Sequence, residues 1–84
     1  MIIVNQAGDE MFIFENLYSV KVMKQTENKT DIWVINANVP ECDVFVKLGS
    51  YKDEESAKAA FSHIFVNYNY GERYMQMVPD CDGD

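Results

Sequence analysis

Three aspartates occupy alternate positions near the end of the sequence, Asp80, Asp82 and Asp84, with Cys81 and Gly83 between them. Alternating carboxylates open a calcium loop, whose glycine follows the third acid and whose twelfth position is a bidentate glutamate. Here the glycine, Gly83, falls two places early, before the third acid, and no closing glutamate follows Asp84. Ordering such a segment around an ion would also cost chain entropy. The expectation for 80–84 is a solvated, flexible acidic tail, with contact to a basic partner as its second role.

Other reactive groups are few. His63 is the only histidine, and Ser62 precedes it. Neighbouring helical residues point about 100° apart, so the two cannot form a nucleophile–base pair on a helix. Cys42 and Cys81 make neither a C-x-x-C pair nor a zinc-ligand spacing. No phosphate-binding loop, dinucleotide fingerprint or nucleophile elbow occurs. The reading is a non-enzymatic protein with no cofactor and no metal. No basic n-region precedes the apolar start and no apolar run approaches a membrane span, so a cytoplasmic setting with reduced thiols is expected.

What must position any site is a β-rich chain. "MIIVN" at 1–5 and "MFIF" at 11–14 are short strands around a Gly-containing turn. "LYSVKVMK" at 17–24 alternates, "IWVINA" at 32–37 and "DVFVKL" at 43–48 follow, and "QTENKTD" between the first two reads as a polar turn. The period then changes. Ala57, Ala60, Phe61, Ile64, Phe65 and Tyr68 recur at helical spacing, with Asp53 as N-cap, Glu54 and Glu55 in the first turn, and Gly71 closing. "RYMQMV" returns as a sixth strand before Pro79.

Several strands are apolar on both faces, and one helix covers only one face of a flat sheet. Something else must bury Trp33 or Phe45. The fold class expected is therefore α+β: a curled antiparallel sheet of five to six strands, as a small barrel or sandwich, with one amphipathic helix near the C-terminus. Residues 1–79 form the single domain, and packing of two chains sheet to sheet is the alternative to curling.

Fourteen acids against seven bases give a net charge of −7. That field repels nucleic acid and anionic membrane, and the lysines are scattered singly along the sequence. A basic surface on another protein is the better match. The candidate contact residues are the acids of turns and element ends: Asp9, Glu10, Glu15, Glu41, Asp43, Glu72, Asp80, Asp82 and Asp84. Placed at suitable spacings, such carboxylates could imitate a nucleic-acid backbone. The aromatic residues, Phe12, Phe14, Trp33, Phe45 and several tyrosines among them, belong to the core or to a pocket for a small planar ligand.

The opening "MIIVNQAGDE", the segment "LGSYKDEESAK" at 48–58 and the closing "YMQMVP" resemble short open reading frames of phages, prophages and mobile elements of Gram-positive bacteria. The resemblance implies a setting inside a bacterial host cell and action by binding a host protein. Inhibition of a defence nuclease, as an anti-CRISPR protein does, is one such role. It transfers no catalytic residue. A ligand sponge using an aromatic pocket, or a dimeric virion-associated module, is the alternative.

Overall fold

The apolar triplet Ile2–Val4 forms strand β1, flanked on one side by antiparallel β2 (Met11–Ile13) and on the other by parallel β6 (Tyr74–Gln76). A second three-stranded sheet is an antiparallel meander of β3 (Ser19–Glu27), β4 (Thr30–Val39) and β5 (Val44–Tyr51). One helix, α1 (Glu54–Asn69), lies between β5 and β6 in the chain. These elements come from a computed structural model that describes residues 1–40 and 44–79. The 80–84 tail and the 41–43 segment lie outside the described residues.

The α+β class and the single helix are as expected, but the closure is not. The strands form two sheets of three rather than one curled sheet, the β1–β6 pairing is parallel, and no barrel closes. The physical reason is strand length. Barrel closure needs strands long enough to tilt and stagger. After Val4 the chain turns sharply, because the side-chain oxygen of Asn5 accepts from the backbone N–H groups of Gly8, Asp9 and Glu10. Gly8 takes a positive φ of 79° in that turn, a conformation that glycine adopts without a Cβ penalty.

The sheets are instead stitched at one edge. Beyond β1, the Gln6 N–H donates to the Leu48 carbonyl at 2.7 Å, and the Gln6 side chain brackets Ser50, donating to its carbonyl at 3.0 Å and accepting from its N–H at 2.9 Å. Beyond β6, the Val78 carbonyl accepts from the Tyr51 hydroxyl at 2.7 Å. Gly49 sits at this seam, beside an irregularity in the β4–β5 register, because a Cβ there would meet the Tyr51 hydroxyl at 3.1 Å.

The polar turn expected over "QTENKTD" narrows to two residues, the rest of that segment being strand. Pairing of β3 with β4 runs to Glu27↔Thr30, leaving a two-residue turn of Asn28 and Lys29, both at positive φ. Left-handed residues at both central positions match the twist of the flanking strands. Side chains reinforce the ribbon where no core exists: Thr26 donates to Asp31, and Lys24 lies 3.3 Å from the same carboxylate.

Ala57, Ala60 and Ile64 of α1 are buried against the meander, joining Ile35, Ala37, Leu48 and Tyr51. Ile3, Met75 and Met77 close the core from the first sheet. Phe65 and Tyr68, expected in the buried stripe, are instead 54% and 45% exposed, because they line an open concavity between α1 and the segment Phe14–Val20. Trp33 packs half-buried against the core. Phe45, on the opposite face of the meander, stays 54% exposed beneath the Lys21 ammonium, 5.2 Å from its ring centre.

Asp53 caps α1 by accepting from the Ser56 N–H at 2.7 Å, and Lys58 pairs with Glu54 at 3.2 Å. The bond from Ser56 holds the Asp53 carboxyl below its ordinary 3.8. A depressed carboxylate contributes stability above its unfolded value and loses it as pH falls through the folded one. Asp53→Asn keeps a neutral cap, so its melting temperature should approach that of the parent as pH drops from about 7 to about 3. A difference that stayed constant with pH in thermal melts followed by circular dichroism would contradict this account.

Candidate protein-interaction face

Side chains alternate across β1, β2 and β6, and the register decides which meet. Phe12, Ile3 and Met75 form one row directed to the core. The outer face carries two further rows, Ile13–Ile2–Tyr74 and Met11–Val4–Gln76. Met11 is 67% exposed, Tyr74 59%, Ile13 55% and Ile2 38%. A contiguous apolar sheet face left to water is unusual on a soluble domain and marks contact surfaces. It exists because "IIV" and "MFI" are apolar at every position, while only the row of Phe12, Ile3 and Met75 joins the core.

Carboxylates stand at both ends of this face. At the end beyond Val4, Asp9 and Glu10 belong to the turn organised by Asn5, whose side-chain nitrogen also donates to Asp9 at 2.9 Å. A shallow cavity of about 540 Å³ opens there, lined by Val4, Met11, Tyr74 and Gln76 together with Gly8, Asp9 and Glu10. At the opposite end, Glu15 follows β2 in a one-turn 3-10 helix, Phe14–Asn16, and accepts from the Met1 amino group at 2.7 and 2.8 Å. Those hydrogen bonds hold the Glu15 carboxyl below its ordinary value. Glu72 is exposed at the same end, next to Arg73, whose carbonyl accepts from the Ile2 N–H. Four of the nine candidate acids thus surround one three-stranded sheet. The other five, Glu41, Asp43, Asp80, Asp82 and Asp84, lie outside the described residues, as do Cys42 and Cys81.

The lysines are less scattered in space than in sequence. Lys21 and Lys47, single in the sequence, lie in register on either side of Asn36, on the outer face of the meander. Folding brings together positions 26 residues apart, which no linear window reveals. Four acids stand around the first sheet, whereas the meander carries three exposed strand lysines, Lys21, Lys24 and Lys47, beside the acids Glu27 and Asp31.

Ser62 and His63 are both exposed on α1. Among the described residues no group of three or more His, Cys, Asp or Glu side chains could hold a metal ion, and no helix is long and apolar enough to cross a membrane.

A second concavity was not legible in the sequence. About 380 Å³ opens between α1 and the segment Phe14–Val20, lined by Phe14, Leu17, Tyr18, Phe61, Phe65 and Tyr68 among others. The Phe14 and Tyr68 rings meet tilted at 49°, centroids 5.0 Å apart, and Phe61 meets Phe65 edge-on at 5.2 Å. Of Phe12, Phe14, Trp33 and Phe45, the four aromatic residues named individually for a planar-ligand pocket, only Phe14 lines it. Aromatic residues at helical spacing indicate a core face, whereas Phe65 and Tyr68 are partly uncovered and face the concavity.

Comparison with protein-family models, with curated proteins and with solved structures finds no match to this chain.

Proposed function

We propose that this protein acts by binding, as a non-enzymatic acidic inhibitor of a basic, nucleic-acid-handling host protein. A bacterial defence effector, in the manner of an anti-CRISPR protein, is the most concrete partner of that kind. The observation that carries the reading is the pairing of an exposed apolar sheet face with Asp9 and Glu10 at one end and Glu15 and Glu72 at the other. Apolar contact supplies affinity, and flanking charge supplies encounter rate and register. The net charge of −7 acts in the same direction. The resemblance to short phage and mobile-element reading frames supplies the setting, the cytoplasm of a bacterial host.

Exposed charges at a rim are screened by salt. Affinity for a candidate effector nuclease is expected to fall at least about tenfold between about 50 mM and about 500 mM salt, and Asp9→Asn with Glu10→Gln should slow association more than dissociation. Surface plasmon resonance across the salt series measures both. An affinity unchanged over that range would count against the proposal.

The aromatic concavity favours a second reading, a binder of a small planar ligand. Its volume and apolar lining match small-molecule sites. Native mass spectrometry of the purified protein would detect a retained ligand as a discrete mass increment.

A further inference from the structure

The backbone of β2 has a free side. In an antiparallel ladder, residues alternate between bonding the neighbouring strand and pointing away from it. The Phe14 N–H bonds the Met1 carbonyl and the Asn5 N–H bonds the Glu10 carbonyl, so residues 10, 12 and 14 turn toward β1. Met11 and Ile13 turn outward, and β2 is the last strand of its sheet. The Ile13 carbonyl opens the 3-10 turn at Phe14–Asn16. What remains at the edge is the N–H and C=O of Met11 and the N–H of Ile13. Acids bracket this short row, Asp9 and Glu10 before it and Glu15 after it. The edge of β3 differs, for it carries Lys21 and Lys24, charges of the kind that guard an edge against pairing.

We infer that β2 is a strand-addition site, at which an extended segment of the partner, apolar at its centre and basic at both ends, adds to the sheet. The inference rests on the proposed acidic-interaction function and specifies its mode. Main-chain bonds would come from Met11 and Ile13, the outer-face side chains of those residues would contact alternate side chains of the added strand, and the flanking carboxylates would meet its basic ends. Self-pairing fits worse. A two-fold antiparallel pairing centred on Phe12 would set Asp9 of each copy opposite Glu15 of the other, and like charges directly opposed are destabilising.

The test uses the full chain, labelled with ¹⁵N, and an acetylated, amidated peptide of sequence Lys-Arg-Val-Thr-Val-Arg-Lys. Its counterpart has the same side chains but is N-methylated at the alternate residues whose N–H groups would face β2. Without peptide, the Phe12 amide should exchange slowly and those of Met11 and Ile13 fast. Adding peptide should slow exchange at Met11 and Ile13, and N-methylation should weaken binding about tenfold or more. Met11→Lys, which guards the edge without touching the β1 ladder, should weaken the unmethylated peptide similarly while Phe12 stays protected. Equal, salt-dependent binding of both peptides would overturn strand addition and leave the acidic-surface reading standing. Binding of neither peptide would overturn strand addition, with the salt series on an effector deciding the broader reading separately. Protection of Met11 and Ile13 that rises with protein concentration alone would assign the edge to a second copy and overturn the inference as well.

Discussion

Ile35→Ala is expected to destabilise the fold by about 2–5 kcal/mol, the range for removing a fully buried isoleucine side chain beyond its Cβ. Ile35 lies on the central strand β4, is 0% exposed, and pairs with Val22 on one side and Gly49 on the other. Gly49 offers no side chain to fill the space left behind, and Tyr51, which crowds over it, is tethered by its hydroxyl to the Val78 carbonyl. Collapse around the cavity is therefore restricted, which favours the upper part of the range. A chain of 84 residues has a total stability of roughly 4–12 kcal/mol, so at the middle of both ranges this single change removes close to half of it. Urea denaturation gives the measurement, with Ile35→Val as the control expected to cost about 0.5–1.5 kcal/mol. A loss for Ile35→Ala below about 1 kcal/mol would show that the two sheets do not share one core at this residue.

Asn5→Ala has the next largest expected effect, and it reaches the proposed site. Asn5 is 8% exposed, and its side-chain oxygen accepts from three backbone N–H groups at 2.9, 3.1 and 3.3 Å. Those donors belong to exposed residues and can turn to water, so the cost lies in the order of the turn. About 1–2 kcal/mol is expected, within the range for losing a buried hydrogen-bonding side chain. Asp9 and Glu10 would lose their fixed position, and association with a basic partner should slow. Asn5→Asp separates geometry from charge. It keeps the acceptor but sets a second carboxylate where the Asn5 nitrogen now lies 2.9 Å from Asp9. Like charges so close raise the pKa of the pair, so this variant should be least stable near neutral pH relative to the parent and recover as acid protonates one carboxyl. Thermal melts over pH read the sign directly, and a deficit that grew in acid would refute the assigned hydrogen bond.

Much of the local structure was legible because it depends on neighbours in sequence. Asp53 caps α1 and Lys58 pairs with Glu54 as helical spacing requires. Ala57, Ala60 and Ile64 form the buried stripe. The long hairpin was underestimated, because polar side chains from Gln25 to Asp31 read as a turn although strand pairing needs only backbone and cross-strand partners. Asp9, Glu10, Glu15 and Glu72 were legible as candidates, being acids at turns and element ends. Their gathering around one sheet was not, because it depends on β6 returning to lie beside β1 from about 70 residues away.

By itself the sequence determined the order of strands and helix, the cap, the net charge of −7 and the scarcity of reactive groups. Each is a property of composition or of spacing within a few residues. Only tertiary structure decided that the strands split into two sheets, that Lys21 and Lys47 share a face, and that Met11 and Ile13 present open backbone to solvent. The physical reason is the seam at Gln6, Gly49, Tyr51 and Val78. Its bonds join residues 27 to 72 positions apart, so no local preference encodes them, yet they choose which face of each strand is buried.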